Sequence, residues 1–215
     1  MLFDCKNSEM GIFLDNFHKI YQNGNYKREV IEMVTRMEYL QKLLDWKDEK
    51  VIKVITGIRR CGKSTLLLQY QEHLKEQGID DSQIISVNFE DLQYEELLDY
   101  KTLYDYIQKR LCKDKMTYIF LDEIQKVDSF EKVVDSLHIK EHTDIYLTGS
   151  NAYMLSSDLA TLLTGRYVEL SMLPLSFKEY AQLTNDTSEH AFSDYMRYGG
   201  LPYVAAMDKT DEKAD

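Results

Sequence analysis

The run Gly57-Ile-Arg-Arg-Cys-Gly62-Lys63-Ser64 constrains this chain more than any other feature of it. It fits G-x-x-x-x-G-K-[ST], and such a match arises by chance in roughly one chain in a hundred of this length. The setting strengthens it. The β-rich run Val51-Ile-Lys-Val-Ile-Thr56 precedes it, and a helical stretch from Lys63 to about Glu76 follows. Strand, glycine-rich turn and helix N-terminus aim backbone N–H groups and the positive end of the helix at one point, which suits a phosphate. Gly57 and Gly62 permit the tight loop and a close backbone approach. With Ile58, Arg59, Arg60, Cys61 and Thr65 they are expected to wrap the phosphates of a nucleotide. Lys63 reaches the β- and γ-phosphates, and the Ser64 hydroxyl is suited to Mg²⁺. A purely structural turn is the competing reading.

The flanking sequence alternates strand and helix. Runs 84–89, 117–122, 144–148 and 167–172 read as further strands. Helices are expected over about 30–46, 63–76, from Thr102 to about Leu111, and over 129–138. Gly78 reads as a helix stop. Thr102 with Asp105 resembles a capping box, Asp128 reads as an N-cap, and Ser176 with Glu179 forms a second capping box after Pro174. The expected fold class is α/β: a three-layer sandwich around a central parallel five-stranded sheet. The expected divisions are an irregular leader over 1–28, a nucleotide-binding domain over 29–175, and the start of a helical lid or C-terminal region over 176–215.

The third strand, Thr117-Tyr-Ile-Phe-Leu-Asp122, ends in Asp122-Glu123. An apolar strand tipped by two acids is what a Mg²⁺-holding strand requires beside a phosphate loop. Asp122 would hold the metal with Ser64, and Glu123 would polarise the attacking water. Thr148-Gly149-Ser150-Asn151 closes the fourth strand, where ligands bind in this architecture. Asn151 and Ser150 are candidates to position the water or sense the γ-phosphate, with Thr148 behind them; a helix N-cap is the alternative. Arg166, just before the fifth strand, is a candidate arginine finger toward a neighbouring subunit, against an ordinary surface arginine. Phe89-Glu90-Asp91 closes the second strand near the expected metal position.

Composition excludes more than it selects. The 44% of hydrophobic residues supports a packed core. The 26 basic and 37 acidic residues leave a net charge of −11, which argues against non-specific nucleic-acid binding by the whole surface. Cys5, Cys61 and Cys112 are odd in number and widely spaced, as in a reducing compartment. No run approaches the roughly 18 apolar residues of a membrane span, and the N-terminus lacks a signal-peptide pattern. A soluble, cytoplasmic protein is expected. Two weaker patterns compete for attention. His138-Ile-Lys-Glu141-His142 matches H-x-x-E-H but falls in a short connection with no further acidic ligand evident. Cys61, beside a helix N-terminus, is read as an ordinary loop residue.

Taken in order, the segments containing Arg36 and Tyr39-Leu40, Val54–Ser64, Val87–Asp91, Tyr118–Gln125, Tyr146–Asn151, Leu163–Tyr167 and Pro174–Tyr180 resemble a family of prokaryotic AAA+-like ATPases. The resemblance covers about 31–205. It implies sheet order 5-1-4-3-2 and ATP hydrolysis with Lys63, Ser64, Asp122 and Glu123 in the roles above. It puts Arg166 at the family's Gly-Arg position and the helix holding Arg36 and Tyr39 near the adenine. Family members usually begin near residue 31, so the resemblance implies that 1–28 is an added leader. They also continue past Gly199-Gly-Leu-Pro202 into a C-terminal domain, so the expectation from the resemblance is a chain that lacks it, as a fragment or an interrupted gene would.

The expected function is an ATPase with Mg²⁺ and ATP as ligands, able to assemble as a homo-oligomer, with no membrane partner. Lys63, Glu123, Asn151 and Arg166 are its catalytic candidates. The alternative is a nucleotide-binding module with little hydrolysis. A small-molecule kinase would need an arginine-rich lid, which the sequence does not offer.

Overall fold

The computed structural model describes residues 34–149 and 165–207. The expected leader, Ser150 and Asn151 lie outside them. Five parallel strands form the centre: β1 (Ile52–Gly57), β2 (Ile84–Asn88), β3 (Thr117–Asp122), β4 (Thr143–Thr148) and β5 (Tyr167–Met172). Their order is β2-β3-β4-β1-β5, which is the expected 5-1-4-3-2 read from the other edge. Helices α1 (Met37–Asp45), α2 (Lys63–Glu76), α3 (Tyr100–Gln108) and α4 (Phe130–His138) cover the two faces.

The three inner strands β1, β3 and β4 are buried at every position, because helices lie on both sides of them. Alternation then divides each strand between two cores. On β3, Ile119 and Leu121 join the core that contains Leu103 of α3 and Val134 of α4. Tyr118 and Phe120 join the opposite core with Leu40 of α1 and Leu66 and Tyr70 of α2. A one-residue slip would exchange the two sets, so packing fixes the register.

Helix α2 covers the expected residues. Gly78 ends it at φ +87°, with Ile79 N donating to Leu74 O at 3.1 Å and Gly78 N to Lys75 O at 2.9 Å. That pair of bonds satisfies the last carbonyls, and the left-handed residue between them is best supplied by glycine. The box at Ser176 is also present, and it opens α5 (Phe177–Thr184). Two more helices, α6 (Glu189–Tyr198) and α7 (Pro202–Ala205), pack with α5 around Leu175, Tyr180, Ala191 and Ala205. Gly200 is needed there, since a Cβ would stand 2.2 Å from Leu175 O.

Three expectations at helix starts are corrected. The first helix begins at Met37, not near 30, and residues 34–36 are not helical. Arg36 is drawn instead into contacts described below. Helix α3 is capped by Asp99, whose Oδ1 accepts from Thr102 N at 2.8 Å and from its hydroxyl at 2.9 Å. Thr102 is thus inside the helix, and a 3₁₀ segment, Leu92–Leu98, fills the preceding stretch. Asp128 does not cap α4; Ser129 does so through its backbone at φ +58°, without a side-chain bond. No described helix is long and apolar enough to cross a membrane.

Candidate functional site

The loop 57–62 joins the end of β1 to the start of α2. Its tightness has a local cause. A Cβ on Gly57 would lie 2.5 Å from Met172 O and 2.8 Å from Cys61 Sγ, so β5 closes over this position. Gly62 sits at φ +103° at the helix N-cap, a conformation that side chains rarely adopt. Arg60 takes a left-handed conformation too, at φ +67°. Cys61 points into the core, fully buried, and burial pushes its thiol upward, so it is packing rather than a nucleophile.

Lys63 is buried. Its Nζ donates to Gly57 O at 3.1 Å and Ile58 O at 3.3 Å, and stands 3.7 Å from Glu123 Oε1. The ammonium is therefore folded over the loop. Arg59 is exposed and pairs with Glu90 at 3.3 Å, which places the Phe89-Glu90-Asp91 turn beside the loop. Arg60 lies over the ring of Tyr203 in α7, 5.7 Å from its centroid. Neither arginine is committed to the loop's interior.

Because β3 neighbours β4, and β4 neighbours β1, the acids at the end of β3 face the loop across β4. Asp122 is buried, and the Thr148 hydroxyl donates to its Oδ1. Burial raises its carboxyl above the ordinary value, against the opposing pull of the Thr148 and Ser64 hydroxyls. Glu123 follows at φ +56°, a strained conformation for a residue with a Cβ. Its N–H donates to Thr148 Oγ1 at 2.9 Å. Thr148, fully buried, thus accepts from Glu123 and donates to Asp122. The sequence reading ranked Thr148 behind Ser150 and Asn151; its bridging role is visible only once β3 and β4 are side by side. Gln125, given no role from sequence, donates through Nε2 to Glu123 Oε2.

Arg36 lies on the other side of the loop. Its guanidinium donates to Leu173 O at 2.6 Å, Pro174 O at 3.2 Å and Cys61 O at 3.4 Å, and to both oxygens of Glu179 at 2.9 and 3.2 Å. Its charge also lies over the Tyr39 ring at 4.5 Å, and the Tyr39 hydroxyl accepts from Leu173 N at 3.2 Å. One side chain therefore ties the phosphate loop, the turn after β5 and α5 together. Sequence had offered only a place near a base. Burial by itself would raise Glu179; Arg36 and Ser176 together hold its carboxyl below the ordinary value.

Arg166 is not at its own loop. Its backbone pairs with Ile52 at the start of β1, about 17 Å of strand away from the loop, and its side chain pairs with Asp135 of α4. His138 ends α4, while His142 lies in a left-handed turn at φ +57°. The H-x-x-E-H spacing consequently does not lie on one helix face.

The residues fit a magnesium nucleotide. The loop has no room for a Cβ at Gly57, its lysine approaches no carboxylate among the described residues nearer than Glu123 at 3.7 Å, and Ser64 and Asp122 supply the hard oxygen donors that Mg²⁺ prefers.

Comparison with known proteins bears on the family and the fold. A model of the AAA domain family matches residues 49–181. A protein of Haemophilus influenzae described as uncharacterised is 43% identical over 183 residues, covering 82% of this chain and 46% of its own length. One from Methanocaldococcus jannaschii is 32% identical over 179 residues, covering 76% and 38%. The chain thus spans less than half the length of these relatives. Among solved structures, the Walker-type ATPase of Pyrococcus abyssi superposes with a TM-score of 0.58 at 18% identity, covering 81% of this chain and 66% of that one, and so shares the fold. The matched span runs from the strand before the loop to the helix that Arg36 clasps, and by it this chain belongs to the AAA domain family of P-loop ATPases.

Proposed function

We propose that this chain hydrolyses ATP with Mg²⁺ at the loop 57–64, with Glu123 as the group that polarises the attacking water. The observation that carries the reading is the contact of Glu123 Oε1 with Lys63 Nζ at 3.7 Å, at the mouth of the loop. A carboxylate there lies beside the position the γ-phosphate would take. Mg²⁺, when bound, would neutralise charge on the β- and γ-phosphate oxygens. Ser64 and Asp122 are the side chains suited to hold it. Lys63 would leave the carbonyls of Gly57 and Ile58 for the phosphates, which compensate it better than two neutral acceptors. Thr148 holds the backbone that presents Glu123.

Arg166 belongs to this reading only between subunits. It lies at the end of the strands opposite its own loop, so it would act on a neighbour's nucleotide in a homo-oligomer. Asn151 remains a candidate for positioning the water. Residues 176–207 supply the start of a lid, with Tyr203 over Arg60 and Glu179 on Arg36. The test is phosphate release from ATP with Mg²⁺ across a range of protein concentrations, beside Glu123→Gln and Arg166→Ala. A specific rate that rises with concentration and is lost in both variants supports assembly. ATP binding without release, in wild type and variants alike, would leave a nucleotide-holding module instead.

A further inference from the structure

Gln125 sits in the single 3₁₀ turn Ile124–Lys126 that follows β3. It belongs neither to the phosphate loop nor to the acid pair. Its Nε2 donates to Glu123 Oε2, while Glu123 Oε1 stands 3.7 Å from Lys63 Nζ. One carboxylate oxygen therefore faces the loop and the other faces Gln125. An ionised carboxylate can only accept, so the nitrogen end of the amide is the end that must meet it.

That orientation leaves a mark on the other end. Gln125 Oε1 is buried and finds no donor among the described residues. A buried polar atom without a partner is unfavourable, and such exceptions call for a cause. Here the cause is the carboxylate, since turning the amide over would set oxygen against oxygen. Thr148 fixes the backbone of Glu123 but not its side-chain torsions. Gln125 supplies the missing anchor from two residues along the chain.

We infer that Gln125 is a positioning residue for Glu123, holding Oε2 so that Oε1 stays aimed at the phosphate loop. The inference rests on the reading of Glu123 as the water-polarising group. Loss of the anchor lets the carboxylate rotate away, which slows the chemical step without weakening nucleotide binding.

The experiment compares Gln125→Met, Gln125→Glu and Glu123→Gln with wild type, measuring steady-state ATP hydrolysis and the affinity for a fluorescent ATP analogue. Gln125→Met keeps the length and loses the donor; Gln125→Glu keeps the shape and sets acceptor against acceptor. The expected result is a kcat lower by about 10- to 100-fold in both, with analogue affinity within about twofold of wild type. Gln125→Glu is expected to be at least as slow as Gln125→Met, whereas a packing role predicts that the shape-conserving Gln125→Glu is the faster. A Glu123-dependent wild-type rate that Gln125→Met leaves unchanged overturns the positioning role alone. So does a parallel loss of affinity and kcat. A wild-type rate no higher than that of Glu123→Gln overturns the positioning role and the ATPase reading together.

Discussion

The hydroxyl of Thr148 receives the backbone N–H of Glu123 at 2.9 Å, and that one bond fixes the residue proposed to polarise water in a left-handed conformation. The same hydroxyl gives its proton to Asp122. Thr148→Val keeps the shape and removes both bonds. It is expected to cost about 1–3 kcal/mol of stability, the range for a buried donor left without a partner, and to lower ATP hydrolysis by about 10- to 100-fold. Thr148→Ser retains the oxygen and is expected to keep most of both. Chemical denaturation and phosphate release check the pair.

Gly57→Ala tests the tightness of the loop. Its Cβ would meet Met172 O at 2.5 Å, and backbone cannot give way as the end of a flexible side chain can. The loop is expected to open, with loss of nucleotide affinity and about 1–3 kcal/mol of stability. At this size that is a fall in Tm of roughly 2–4 °C per kcal/mol, readable by calorimetry. Gly78→Ala, in open space, serves as the comparison for left-handed strain without a clash.

Lys53 and Asp144 pair inside the core, with 0% and 1% of their side chains exposed. Tyr146 and the Asp48 N–H also bond Asp144, and Tyr146 and Tyr70 meet hydroxyl to hydroxyl at 2.9 Å. Burial lowers Lys53 and raises Asp144, each opposed by the partner's charge. Lys53→Met alone strands a buried carboxylate and is expected to cost about 3–5 kcal/mol. Lys53→Met with Asp144→Asn is expected to cost clearly less. Additive losses in a double-mutant cycle, with the double variant losing the sum of what Lys53→Met and Asp144→Asn lose singly, would show that the two charges do not depend on each other.

Stability should carry an acid signature from Glu179. Its folded-state pKa lies below the ordinary value of 4.5, chiefly because Arg36 and Ser176 outweigh burial. A depressed carboxylate stabilises the fold above its unfolded pKa, and that contribution disappears as pH falls through the folded value. Wild type should therefore lose more stability than Glu179→Gln between about pH 5 and pH 3. Urea midpoints across that window measure it, and parallel curves would contradict the assignment.

Much of this was legible in sequence because it is local. Loop, β3, α2 with its glycine stop and the cap at Ser176 each depend on residues within a few positions of one another. Helix starts were less legible where several polar residues compete. Asp99 and Thr102 both qualify as caps, and only the chain path selects Asp99. The clasp made by Arg36 is not legible in sequence because its hydrogen-bond partners stand 25 to 143 positions away. Thr148 was undervalued for the same reason, since its use comes from the pairing of β3 with β4. Ser150 and Asn151 fall outside the described residues, so their expected part is still a proposal.

The most direct test of the account is phosphate release from ATP by wild type and Glu123→Gln under saturating Mg²⁺, with binding of a labelled ATP measured on the same preparations. The account predicts that both bind and only wild type releases phosphate, with the variant slower by at least about 100-fold. Equal rates in the two proteins, with binding intact, would contradict it.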